Sequence, residues 1–111
     1  MELNPYWITG FVDGEGCFYV GINRHESLKI GFQVLPEFRV VQHERDVQVL
    51  HGIKRFFKCG QVCRNHGDRW EFRVRKLDDL DRISRFFEMH SLKTKKRIEC
   101  QRLARVVRWM K

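Results

Sequence analysis

Gly10 and Gly14 stand four residues apart in WITGFVDGEG, residues 7–16, and that spacing puts both on one face of a helix, in a stripe with Trp7 near its start. A glycine inside a helix costs about 1 kcal/mol relative to alanine. A helix stop would explain Gly14 or Gly16 and leave Gly10 without a reason. Two glycines on one face let a second helix approach backbone to backbone, the small-residue logic of tightly crossing membrane helices. The chain contains one such stretch, so the partner helix must come from a second copy. The stripe therefore predicts a two-fold homodimer with Trp7, Gly10, Phe11 and Gly14 in its interface. It also raises a question about Glu15, a charged residue held between Gly14 and Gly16 where a helix gives way to a strand.

A chain of 111 residues suits one domain, residues 1–111, and 42% hydrophobic residues with 9 Phe suffice for a folded core. Lys and Arg number 22 against 14 Asp and Glu, a net charge of +8, which favours a polyanion such as nucleic acid over an anionic membrane. The charge is uneven. Residues 1–16 hold Glu2, Asp13 and Glu15 and no base, whereas residues 92–111 hold eight bases against Glu99 alone. No apolar run is long enough to span a bilayer and no signal-type leader is present, so an intracellular setting with no membrane partner is expected. Cys17, Cys59, Cys63 and Cys100 are then expected as free thiols, and the spacing of CGQVC to His66 does not match a zinc site.

Asn4-Pro5 is a helix start, and a first helix is predicted to about Asp13. From Cys17 the pattern alternates, with Phe18, Val20 and Ile22 on one side and Tyr19 and Asn23 on the other. Residues 29–41 predict a second strand with Phe32, Val34, Phe38 and Val40 inward, and Pro36 marks a bend or an unpaired position. An amphipathic helix over 45–58 follows, then a hairpin turning at His66-Gly67-Asp68, with Val62, Trp70, Phe72 and Val74 inward. Asp78 is read as the cap of a third helix, and a fourth runs from about Thr94. The fold class is α+β, in the order α-β-β-α-β-β-α-α, with an antiparallel sheet covered by helices on one face. The other face is predicted to carry Tyr19, Asn23, Gln33, Glu37, Arg39, Gln61, Asn65, Arg69, Glu71, Arg73 and Arg75. Arg and amide side chains read base edges in a major groove. An ordinary solvated sheet face is the alternative, and the net charge favours nucleic acid.

Residues 8–16, ITGFVDGEG, resemble the nine-residue signature of the LAGLIDADG homing endonucleases, with Glu15 where the consensus has Asp. The element order is also similar to that family's. FRVVQHERD resembles the end of its second strand and sets Gln42 at the polar active-site position, and HSLKTKKRI resembles the entry to its late helix and sets Lys95, flanked by Lys93 and Lys96, at the basic one. The resemblance implies a site-specific endonuclease that cuts both strands of double-stranded DNA at a pseudo-palindromic site of about 20 bp. It implies Mg²⁺ held by Glu15 and the Gly14 carbonyl, with Mn²⁺ or Ca²⁺ substituting for binding. Glu15, Gln42 and Lys95 are the implied catalytic residues, and Asp13 is expected to have a capping role. The alternatives on the same scaffold are an RNA-binding intron maturase and a catalytically silent DNA-binding regulator.

Overall fold

Asn4 starts the first helix through its own side chain, whose Oδ1 accepts the Trp7 amide at 2.8 Å, and Pro5 occupies the first helical position. The computed structural model describes residues 1–29 and 31–111. Helix α1 (Pro5–Glu15) runs directly into β1 (Gly16–Arg24), which pairs antiparallel with β2 (Phe32–His43). A short 3₁₀ turn (Glu44–Asp46) leads into α2 (Val47–Phe57), then the β3 (Gln61–His66) and β4 (Arg69–Val74) hairpin, then α3 (Leu77–Met89) and α4 (Lys96–Met110). The antiparallel sheet has the order β1-β2-β4-β3, so the second hairpin docks against β2 through β4.

The helices cover one face of the sheet, as the alternation predicts. Phe38 is enclosed at the centre of the core, with ring centroids of Phe18, Phe57, Phe72 and Phe87 between 4.9 and 6.5 Å away. Ile8 and Val12 of α1, Leu50 and Ile53 of α2, Leu80 and Ile83 of α3 and Leu103 and Val107 of α4 complete it, all with no exposed area. Apolar contact of this kind from every helix fixes where the end of α1 lies over the sheet.

Several expectations need correction. Helix α1 continues past Asp13 to Glu15, and β2 spans Phe32–His43 and not 29–41; Ile30 of the predicted strand lies outside the described residues. Ile22 and Phe32 are not inward: they are 66% and 50% exposed. The β4 ladder begins only at Phe38, so the far half of the β1–β2 ribbon has no second neighbour strand and projects past the core. Pro36 lies on this stretch, paired with Val20 without a break in register, where its missing donor faces no strand. Lys76, not Asp78, precedes α3, and Asp78 and Asp79 occupy its first turn, where acids suit the positive end of the helix dipole.

Candidate active site

The two sides of α1 differ sharply. Gly10 and Gly14 are exposed, and among the described residues no atom beyond the helix's own backbone and the adjoining residues lies within 4 Å of where a side-chain carbon would stand at either. Beside them Trp7 stacks on Phe11 with centroids 4.8 Å apart, and Trp7 remains 42% exposed. Gly16 is the opposite case: a Cβ there would sit 2.6 Å from Val12 Cγ1 and 2.9 Å from the Val12 carbonyl oxygen, which accepts the Gly16 amide. Only a residue without a side chain lets the helix turn at once into a strand. Glu15, the last helical residue, is left exposed, and its carboxylate has no hydrogen-bond or ion-pair partner among the described residues.

Asp13, two residues earlier, is fully engaged. The Lys93 amide donates to its Oδ1 at 3.0 Å and Oδ2 at 2.9 Å, the Thr94 amide to Oδ1 at 3.0 Å and the Thr94 hydroxyl to Oδ1 at 2.8 Å. Burial pushes its pKa up, but the Thr94 and Lys93 bonds and the nearby Lys96 charge outweigh it and hold the carboxyl below its ordinary value. These bonds tie the entry to α4 to the end of α1. The segment so held carries all three candidate lysines, with Lys93 and Lys95 exposed and Lys96 half-buried.

Gln42 arrives from the sheet. Gly16, the first residue of β1, pairs with Val40, so Gln42 stands two residues beyond the last β1 partner, opposite Trp70 of β4. Glu15, Gln42 and the lysine segment are thus brought to one end of the sheet by three independent constraints. No three acidic, Cys or His side chains form a ready metal cage among the described residues.

On the uncovered face, Cys17, Arg39, Arg73 and Gln61 lie side by side across all four strands. Tyr19, Asn23, Gln33, Gln61, Asn65, Arg69 and Arg75 are exposed there, and Arg39 and Arg73 partly so. Glu37 is buried instead, because Arg75 Nε donates to it at 2.7 Å and Arg39 lies 3.5 Å from its other oxygen. Arg39 also covers the Tyr19 ring at 5.8 Å, so its guanidinium is held from both sides. Glu71 is buried between Val41 and Cys63 in the register, with one carboxylate oxygen lacking a hydrogen-bond partner among the described residues. A bulge between Arg64 and His66 interrupts the alternation at Asn65.

Residues 8–107 match the family model described as LAGLIDADG endonuclease. The chain belongs to the LAGLIDADG endonuclease family. This LAGLIDADG chain is 37% identical over 97 residues to probable intron-encoded endonuclease 2 of Neurospora crassa, an alignment that covers 85% of the chain and 22% of that protein. It resembles the crystal structure of the homing endonuclease I-TnaI with a TM-score of 0.94 and 54% identity, over 99% of the chain and 75% of that one. The meganuclease I-SmaMI, solved bound to uncleavable DNA, matches with a TM-score of 0.94 and 29% identity, over 97% of the chain and 38% of that one. The chain spans about a fifth, 22%, of the length of the intron-encoded relatives it matches.

Two groups in this LAGLIDADG chain escaped the sequence reading. Arg64 lies over the Trp70 ring at 5.0 Å and donates to Glu44 at 3.2 Å, and His43 meets Asp68 at 3.1 Å. Both join the end of β2 to the β3–β4 turn. The only local signal was charge flanking a turn, which does not say which charges meet.

Proposed function

We propose that this LAGLIDADG chain is a site-specific DNA endonuclease that acts as a homodimer through the open face of α1. The observation that carries the reading is the contrast at the end of that helix. Asp13 is saturated with hydrogen bonds, and Glu15 is left free and exposed beside an uncovered glycine stripe. A monomer has no use for such a stripe. Two copies crossing at Gly10 and Gly14 bring two Glu15 carboxylates together, an arrangement that repels unless a cation lies between them.

The donors fit Mg²⁺. One chain offers a free carboxylate from Glu15 and the Gly14 carbonyl, all oxygen, and Mg²⁺ takes one or two carboxylates and keeps its waters. When bound, Mg²⁺ supplies water activation and neutralises charge at the leaving oxygen. Gln42, at the same end of the sheet, orients water through its amide, and Lys95 stabilises negative charge on the phosphate. The Arg39–Arg73–Gln61 row reads base edges, and Glu37 holds Arg39 and Arg75 in place for that contact. I-SmaMI, a structural relative, is solved bound to DNA, which supports a duplex as the partner. Two such sheets read two half-sites, so the target is pseudo-palindromic and about 20 bp long.

The test is incubation of the chain with a plasmid library of candidate sites and Mg²⁺, alongside Glu15→Gln. Site-specific double-strand cuts that disappear in the variant while binding persists are expected. Binding by both proteins with cutting by neither overturns the reading.

A further inference from the structure

We infer that Asp13 is a positioning residue for the reaction: its carboxylate fixes the Lys93–Lys96 segment so that α1, the helix carrying Glu15, aims the basic group of the site. The inference rests on the endonuclease reading above. Asp13 and Thr94 are 81 positions apart in the chain, and the bonds between them are the polar link between the end of α1 and the start of α4. The carboxylate takes the Lys93 amide on both oxygens and the Thr94 amide and hydroxyl on one. The Thr94 hydroxyl then accepts the Lys96 amide at 3.2 Å, which passes the restraint into the first turn of α4. Apart from Leu92, which is 1% exposed, this segment has no buried side chain between Ser91 and Lys95. Its lysines, Lys93 and Lys95 exposed and Lys96 half-buried, stand on a backbone anchored in the core by Leu92 and held to α1 by the Asp13 hydrogen bonds.

The consequence concerns catalysis more than binding. A long, exposed lysine whose backbone shifts by an ångström loses its aim, and a misplacement of that size costs on the order of a hundredfold in rate. In the proposed reading DNA affinity is spread over the sheet face, and Asp13→Asn leaves every side chain of that face and all three lysines in the chain. Loss of Asp13 therefore lowers kcat and leaves affinity for the target nearly unchanged. Because Asp13 acts through a lysine, its loss costs nothing once that lysine is gone.

The experiment is a double-mutant cycle on the full chain: Asp13→Asn alone, then combined in turn with Lys93→Met, Lys95→Met and Lys96→Met. Single-turnover cleavage and target affinity are measured for each. Asp13→Asn is expected to slow cleavage by roughly ten- to a hundredfold with affinity within about twofold, and to have no further effect beyond about twofold in the Lys95→Met background. Thr94→Val, which deletes one hydroxyl, covers the case in which Asp13→Asn does not fold, and is expected to give the same split at smaller size. Hydrogen exchange supplies a readout without DNA or metal: the Lys93 and Thr94 amides, protected in the wild type, lose protection in Asp13→Asn. Costs that add in all three lysine backgrounds, or a fall in affinity as large as the fall in rate, or unchanged exchange at those amides, each overturn the inference while the enzyme remains active. A wild-type chain that binds DNA and cuts nothing overturns the endonuclease reading itself, and Asp13 as its aiming device with it.

Discussion

On its inner side α1 presents Ile8, Thr9 and Val12, all enclosed, and on its outer side Trp7, Gly10 and Gly14, all open. The inner side obeys the packing rules of a monomer core, where every methyl group has contacts to lose. The outer side breaks those rules, since its glycines forgo helix propensity and its Trp7 stays largely exposed. A feature that costs stability within one chain and gains nothing there belongs to something outside the chain. Gly16 belongs with the inner side, because Val12 leaves it no room for a Cβ.

The largest separation between the two sides is expected from Glu15→Gln. Cleavage falls by roughly a thousandfold or more, as when a group that stabilises reaction charge is removed. The melting temperature stays within the wild-type range, because the carboxylate has no partner among the described residues. Thermal unfolding and single-turnover cleavage on the same preparation check both halves. Ile8→Ala acts the other way. It empties a fully enclosed site and costs about 2 to 5 kcal/mol of folding stability by denaturant titration.

The glycines give the cleanest contrast, since one substitution has opposite signs at two positions in one motif. Gly16→Ala forces Val12 Cγ1 and the Val12 carbonyl away from contacts of 2.6 and 2.9 Å and destabilises by about 1 to 3 kcal/mol. Gly10→Ala meets nothing within 4 Å, so the monomer fold gains up to about 1 kcal/mol from helix propensity. The same added methyl holds two crossing helices apart, and sedimentation is expected to show the dimer weakened. A wild-type chain that sediments as a folded monomer at all concentrations would remove the reason for the outer side.

How much of this was legible in the sequence follows the range of the interactions. The Asn4 cap, the hairpin turn at Gly67 and the alternation around Phe38 and Phe72 are local, and each stands as read. Ile22 and Phe32 alternate just as well, but their burial depends on how far β4 runs along β2, which no local pattern encodes. Glu37 and Glu71 were read as outward acids by alternation, and the alternation is correct; their burial comes from arginines and neighbours on other strands. In the candidate site, the motif pointed to Glu15 and the capping role of Asp13, whereas Lys93 and Thr94 as its partners lie 80 and 81 positions away. Spacing arguments reach across one helix turn or one hairpin, and that bond lies beyond both.

The smallest expected effect tests the engagement of Asp13 by pH. Burial raises the Asp13 pKa, and the Thr94 and Lys93 hydrogen bonds overcome it, so the folded carboxyl lies below the ordinary 3.8. A lowered folded-state pKa means that the unfolded chain takes up its proton first as pH falls. The stabilisation from Asp13 is therefore fully present above the ordinary carboxylate range and is lost as pH drops through the lowered value. The stability difference between wild type and Asp13→Asn is expected to be flat from neutral pH to about 5 and to shrink below 3.8, measured by urea titration at each pH. A difference that stays constant as pH falls through 3.8 would mean that the Lys93 and Thr94 hydrogen bonds do not hold the Asp13 carboxylate, and the contrast between an engaged Asp13 and an open Glu15 would fail.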